Sequence, residues 1–179
     1  MAGPGNPTGG GLLAELLHPG GRLLERLHGV LRFDAQIYAE IERDPHAIPQ
    51  AFAVVIVTAV LGALGHGSLA GIFLGIAGAI VVWCLATALV WGIGTLATGE
   101  PVHFPRLLRC LGFAYLWFVL LIGAGLPWIG ILFSWASVGL SLASGVLAIR
   151  QVLGVSTERA LTIYAVSLGI PILLLLALS

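Results

Sequence analysis

Charged side chains avoid three long apolar stretches of this 179-residue chain. None lies in the 55 residues between Asp44 and Glu100, in the 40 between Arg109 and Arg150, or in the 20 after Arg159. One helical crossing of a lipid bilayer takes about 20 apolar residues. The three gaps therefore predict two, two and one crossings, which makes an all-α polytopic membrane protein with five transmembrane helices.

Turn signals inside and between the gaps set the limits of these helices. Gly65-His66-Gly67-Ser68 separates the first crossing from the second, and Leu126-Pro127 separates the third from the fourth. Ser156 is suited to cap the fifth helix. The membrane domain is predicted over residues 45–179, with crossings at about 49–65, 69–97, 107–125, 127–149 and 157–178.

The region before the first crossing has a different pattern. Residues 1–11 are rich in Gly and Pro and predict a disordered tail rather than a signal peptide. Residues 12–44 predict amphipathic helices in the cytoplasm or at the membrane interface. Their apolar stripe either packs on the protein's own bundle or lies in the interface, or it docks another protein. The main stripe has helical spacing: Leu23, Leu27, Val30, Phe33, Ile37 and Ile41.

The distribution of arginines predicts the orientation. The N-terminal region and the loops at 98–109 and 150–159 share one side of the membrane and carry all eight Arg, whereas the turns at 65–68 and 124–128 carry none. The positive-inside rule makes the Arg-bearing side cytoplasmic. The N-terminus is then predicted inside and the C-terminus outside.

Composition supports lipid as the solvent and narrows the chemistry. The chain is 59% hydrophobic and 9% charged, with a mean hydropathy of +1.06 and no net charge. No basic patch for nucleic acid is present. The crossings hold no Asp, Glu, Lys or Arg away from their ends, which argues against an ion-coupled carrier. No catalytic motif is found, so we predict neither catalytic residues nor a cofactor, and no enzymatic activity.

Three groups of residues are candidates for sites. Small residues predict helix packing, or else an oligomer contact or a path for a neutral solute. Loop arginines predict binding of anionic headgroups or a partner, unless they only set topology. His66 is a weak candidate ligand for a metal, haem or pigment magnesium, although most such histidines are solvated loop residues. The packing group is Gly71, Gly75, Gly78, Ser134, Ser137, Ser141 and Ser144. The arginine group is Arg106, Arg109, Arg150 and Arg159.

Three segments resemble a known family. They are Tyr38–Ala51 (YAEIERDPHAIPQA), Arg106–Phe113 (RLLRCLGF) and Ala148–Leu161 (AIRQVLGVSTERAL). Together they resemble the prokaryotic branch of the Yip (Ypt/Rab-interacting protein) family. The resemblance implies five membrane helices with a cytoplasmic N-terminus, in a prokaryotic cell (inner) membrane. Eukaryotic members of the family are associated with Rab GTPases and vesicle traffic, and the resemblance supplies no catalytic residue.

We therefore expect a non-enzymatic membrane scaffold or accessory subunit that associates with other membrane proteins or with itself. The alternatives are a lipid-handling or membrane-organising protein, a facilitator for a neutral solute, and a pigment- or haem-associated subunit.

Overall fold

The computed structural model describes residues 20–64 and 69–178, and in these ranges it is a helical bundle without strands. The predicted tail at 1–11 and the turn that contains His66 lie outside the described residues. The helices follow in this order: α1 (Gly20–Leu31), α2 (Ala35–Arg43), α3 (Ala47–Leu64), α4 (Leu69–Thr98), α5 (Phe104–Ala114), a 3-10 segment (Tyr115–Gly125), α6 (Gly130–Leu153) and α7 (Thr157–Leu178).

Four helical stretches in the described part of the chain are long and apolar enough to cross a membrane. They are Ala47–Leu64, Ile72–Thr98, Phe104–Gly125 and Gly130–Leu153. The prediction of an all-α, multi-pass membrane protein is thereby confirmed, and each of these stretches begins or ends within a few residues of the predicted crossing. A fifth crossing by α7 stays a prediction.

The sequence pattern predicted one continuous helix for the third of these stretches, but the structure divides it into two parts. The chain leaves the α-helix at Ala114 and continues as a 3-10 helix for 11 residues. Runs of 3-10 helix beyond three or four residues are uncommon and often mark a hinge or a strained sequence. At the junction, the Ser141 hydroxyl donates a hydrogen bond to the Ala114 carbonyl at 3.3 Å.

Helices α1 and α2 form a hairpin that lies along α5. Its turn places Phe33 in the left-handed region, with φ of 56°, and the Phe33 ring stacks on Trp117 at 5.2 Å between ring centroids. Further along α2, the Cys110 thiol lies 3.7 Å from the Tyr38 carbonyl. Glu42 then meets Arg106 near the start of α5. The turn of the hairpin therefore contacts the 3-10 part of the third membrane stretch. Helix α2 runs antiparallel to α5.

Buried side chains concentrate in the half of the bundle nearest the charged loops. In α5, the seven buried residues include Leu107 and every position from Arg109 to Ala114, whereas Gly123 alone is buried in the 3-10 segment. Helix α4 is peripheral, since only 11% of its membrane window is buried, compared with 33% to 44% in the other three stretches. The core therefore lies among α2, α3, α5 and α6.

Candidate functional site

A buried arginine ties the hairpin to the bundle. Arg26 on α1 is 1% exposed, and its guanidinium donates to Glu40 Oε1 at 2.8 and 3.1 Å. It also donates to Asp44 Oδ2 at 2.6 Å and to Gln50 Oε1 at 2.7 Å. A buried charge is tolerated when it is paired and hydrogen-bonded in this way. We call these four residues the Arg26 clamp; they join α1, α2 and the first turn of α3.

The clamp also sets the ionisation of its members. Burial alone would raise the pKa of the Asp44 carboxyl, but hydrogen bonds from Arg26 and from the His46 backbone outweigh it and hold that pKa below its usual value. Burial likewise disfavours the charged Arg26 guanidinium, while Asp44 and Glu40 more than compensate and raise its pKa. Arg26 and Asp44 are therefore both ionised throughout the neutral range.

The opposite face of α1 is apolar and exposed. Leu24 is 71% exposed and Leu31 is 44% exposed, and the exposed His28 lies between them at helical spacing. The inner face of the same helix carries the buried Val30 and the clamped Arg26. We call Leu24, His28 and Leu31 the outer face of α1.

The four predicted loop arginines have different surroundings. Arg109 is buried and donates to the Glu42 carbonyl at 2.6 Å, while its Nε has no hydrogen-bond partner in the described part of the chain. Arg106 is exposed and lies 3.3 Å from the Glu42 carboxylate. Arg150 and Arg159 are exposed at the loop between α6 and α7. Headgroup or partner binding by these residues stays a prediction.

Three of the four predicted serines are buried inside the bundle. Ser144 shares a short hydrogen bond with the Tyr38 hydroxyl, and Ser141 bonds the Ala114 carbonyl. The Ser137 hydroxyl is buried without a partner among the described residues. Ser134 is half-buried and bonds only its own helix, at the Gly130 carbonyl. Burial raises the pKa of the Tyr38 hydroxyl, which therefore stays protonated.

The predicted glycine stripe of α4 is only partly used for packing. A Cβ at Gly75 would lie 3.6 Å from Ala63 Cβ on α3, an ordinary contact, whereas a Cβ at Gly78 would meet nothing within 4 Å. Both glycines line a groove of about 500 Å³ between α3, α4 and the 3-10 segment. The side-chain surroundings of Gly71 lie outside the described part of the chain.

A second cavity lies deeper in the bundle. It has a volume of about 190 Å³, and it shares Val82, Tyr115 and Phe118 with the groove as common wall residues. Ser141 and Tyr164 also line it. Within the described ranges, no cluster of three or more His, Cys, Asp or Glu side chains could hold a metal ion.

Sequence analysis missed Arg26, Tyr38, Tyr115 and Tyr164. A signal for Arg26 was present, because Arg26 lies three residues after Leu23 and four before Val30, on the apolar stripe rather than away from it. The pairing of Tyr38 with Ser144 joins residues 106 positions apart, and no local pattern indicates it.

The comparisons with known proteins agree with this architecture. No curated protein and no solved structure matches the chain. The Yip1 domain family matches residues 29–179, which covers α2 to α7 and the end of α1. That range contains the three segments on which the resemblance was based. The chain is therefore a multi-pass membrane protein of the Yip1 domain family.

Proposed function

We propose that this protein is a non-enzymatic scaffold or accessory subunit that binds other membrane proteins through the outer face of α1. The observation that carries the proposal is the exposure of Leu24 and Leu31 on a helix whose other side is fixed by the Arg26 clamp. Exposed apolar side chains rimmed by polar ones mark interaction surfaces. An amphipathic helix of a partner is the kind of element that such a face binds.

The position of this face favours a partner that is itself in the membrane. The outer face of α1 runs from the charged loops toward the hairpin tip, where Phe33 stacks on Trp117 of the third membrane stretch. A partner that covers both Leu24 and Leu31 has to extend in the same direction. The exposed Glu25 and Arg32 along one edge of this face would set its register through charge complementarity.

We further propose five crossings, with α7 as the fifth, and a cytoplasmic N-terminus. The charged segments meet at one end of the bundle, since Glu42 pairs with Arg106 and since Thr98 and Arg159 line one cavity. The positive-inside rule supports a cytoplasmic position for that end and an outside C-terminus. The loop sequences resembling the prokaryotic branch support a prokaryotic cell (inner) membrane.

Site-directed photocrosslinking in the native membrane tests the docking face. A photoreactive amino acid replaces Leu24, and in a matched variant it replaces Gln36, which is exposed on α2 of the same hairpin. We expect an adduct with another membrane protein from position 24 and none from position 36. The added variant Leu31→Glu is expected to remove the adduct, because it places a charge in the apolar contact.

Two results would count against the proposal. Adducts with lipid alone from position 24 would show that the outer face of α1 lies in the membrane interface. The second result is a protein adduct from position 24 that is equally strong in Leu31→Glu and in the control Gln36→Glu. It would show that the contact does not depend on this face.

A further inference from the structure

The groove between α3, α4 and the 3-10 segment opens on the surface of the bundle and is almost entirely apolar. Its lining includes Ala59, Ala63, Gly75 and Gly78, and its two hydroxyl-bearing residues are Thr58 and Tyr115. The Thr58 hydroxyl is already used, since it donates to the Val54 and Val55 carbonyls of its own helix at 2.8 and 3.0 Å. Among the described residues of the groove, the Tyr115 hydroxyl is therefore the polar group that remains free to bond a ligand.

The deeper cavity is also mostly apolar, but three hydroxyl-bearing residues line it: Tyr115, Ser141 and Tyr164. Tyr164 is 9% exposed and lines this cavity, and its hydroxyl makes no hydrogen bond to the described part of the chain. Tyr115 is half-buried and also has no side-chain hydrogen bond to the described residues. The Ser141 hydroxyl donates a hydrogen bond to the Ala114 carbonyl, and its oxygen lone pairs remain free to accept one. Buried polar side chains normally have hydrogen-bond partners, so the buried Tyr164 at the wall of a cavity points to a ligand.

The two spaces adjoin. Tyr115 and Phe118, whose ring centroids lie 5.0 Å apart, belong to the walls of both, together with Val82. The groove and the cavity are therefore neighbours across these residues, an arrangement that suits an elongated molecule with an apolar chain and a polar end. All three groove elements belong to stretches that are able to cross a membrane, so the ligand would enter from lipid.

The lining also determines the charge of the polar end. Among the described residues, no Arg, Asp, Glu or His lines the groove or the cavity. A phosphate or carboxylate would be buried there without a counter-charge, at a large desolvation cost. A neutral oxygen can accept a hydrogen bond from a tyrosine hydroxyl without that cost.

We propose that the groove and the cavity together bind a neutral amphiphile, with its hydrocarbon chain along Gly75 and Gly78 and its oxygen-bearing head at Tyr115 and Tyr164. This site is separate from the outer face of α1 and does not depend on the docking function. The class includes long-chain alcohols and other lipids whose head carries a hydroxyl or carbonyl and no charge.

Photolabelling of the full chain in phosphatidylcholine nanodiscs tests the proposal. The probe is a long-chain fatty alcohol carrying a diazirine, and the matching fatty acid, at a pH where it is ionised, serves as its charged counterpart. We expect saturable labelling of peptides from α4 and the 3-10 segment by the alcohol. The ionised acid should bind these peptides about tenfold more weakly or worse, because its carboxylate would be buried unpaired.

Two matched pairs of variants locate the site. Gly78→Leu fills the groove and should abolish saturable labelling, whereas Gly92→Leu should leave it unchanged, because Gly92 lies on the same helix with equally open surroundings but outside the groove. Tyr164→Phe should weaken binding by about three- to tenfold, the usual value of one hydrogen bond. Tyr38→Phe removes a hydroxyl that lines neither space and should not change it.

Three results would overturn the proposal. The first is equal labelling by the alcohol and the ionised acid. The second is labelling that neither Gly78→Leu nor the hydroxyl variants Tyr164→Phe and Tyr115→Phe reduce. The third is a change in oligomer mass in Gly78→Leu with unchanged labelling, which would show that a second copy of the chain occupies the groove. Both tyrosine variants keep the ring, so folding is retained, and an unchanged melting midpoint confirms it.

Discussion

Gly112, near the charged loops, and Gly78, beside the groove, show two different uses of a small residue in the bundle. In the half near the charged loops, the missing side chain of Gly112 leaves room for close approach, and a Cβ there would lie 2.7 Å from Ala51 Cβ and 3.0 Å from Trp83. In the other half, a Cβ at Gly78 would meet nothing within 4 Å. Side chains of neighbouring helices fill the space beside Gly112, whereas Gly78 lines a groove.

The same contrast holds for hydroxyl groups. Tyr38 and Ser144 satisfy each other in the closely packed half, and Trp83 Nε1 donates to the Leu108 carbonyl at 3.1 Å. Tyr115, at the border of the other half, has no such partner among the described residues. The difference shows that small and polar residues in a membrane helix support either packing or a binding space, and that the neighbouring helices decide which.

The largest expected effect concerns the Arg26 clamp, which holds the closely packed half together. Arg26→Met leaves Glu40 and Asp44 without their counter-charge. We expect a loss of about 2–3 kcal/mol of unfolding free energy, less than for a fully buried pair because Glu40 is partly in solvent. Thermal unfolding in detergent measures it, with the exposed Arg22→Met as the control. Equal midpoints in the two variants would refute a structural role for the clamp.

The next test compares the two glycines directly. Gly112→Ala should lower the unfolding free energy by about 1–3 kcal/mol, because Ala51 Cβ cannot move aside without shifting the backbone. Gly78→Ala should be neutral or stabilise by up to about 1 kcal/mol through its better helix propensity. The same melting experiment decides, and a similar loss in both variants would remove the distinction between filled and open positions.

A smaller effect is expected from the tyrosine hydroxyls. Tyr38→Phe leaves the buried Ser144 hydroxyl unpaired and should cost about 1 kcal/mol. Tyr115→Phe should change the unfolding free energy by close to zero in the absence of ligand, because no hydrogen bond is lost. Urea-dependent unfolding in mixed micelles distinguishes them, and a larger loss for Tyr115→Phe would reverse the assignment.

The smallest effect is the dependence on pH. Because the pKa of Asp44 is lowered in the folded protein, its contribution is complete above its ordinary value of about 3.9 and is lost as the pH falls through the lowered value. We therefore expect the melting midpoint to be insensitive to Asp44 near neutrality and to fall in acid. The acid-induced fall should be smaller in Asp44→Asn; an identical profile would contradict the pairing with Arg26.

Much of the fold follows from charge gaps and turn signals. The bounds of α3, α4 and α6 lie within a few residues of their predictions, because desolvating a charge in lipid limits where a membrane helix can end. The 3-10 segment was not predictable, since nothing in the apolar sequence of Tyr115–Gly125 distinguishes a 3-10 helix from an α-helix. For the candidate site, the spacing singled out Ser141 and Gly78 as helix-packing residues, and that role stays a prediction. Tyr115 and Tyr164 line one cavity only through tertiary packing, which no local pattern indicates.

Hydrogen exchange of the hairpin tests most directly the claim that α1 and α2 are a fixed part of the bundle. In nanodiscs, we expect the amides of Ala35–Arg43 to exchange as slowly as those of α5 in the wild-type protein. In Arg26→Met, they should exchange markedly faster, while α5 stays protected. Rapid exchange of the hairpin in both proteins would contradict the claim, because a loosely attached hairpin cannot present Leu24 and Leu31 at fixed positions.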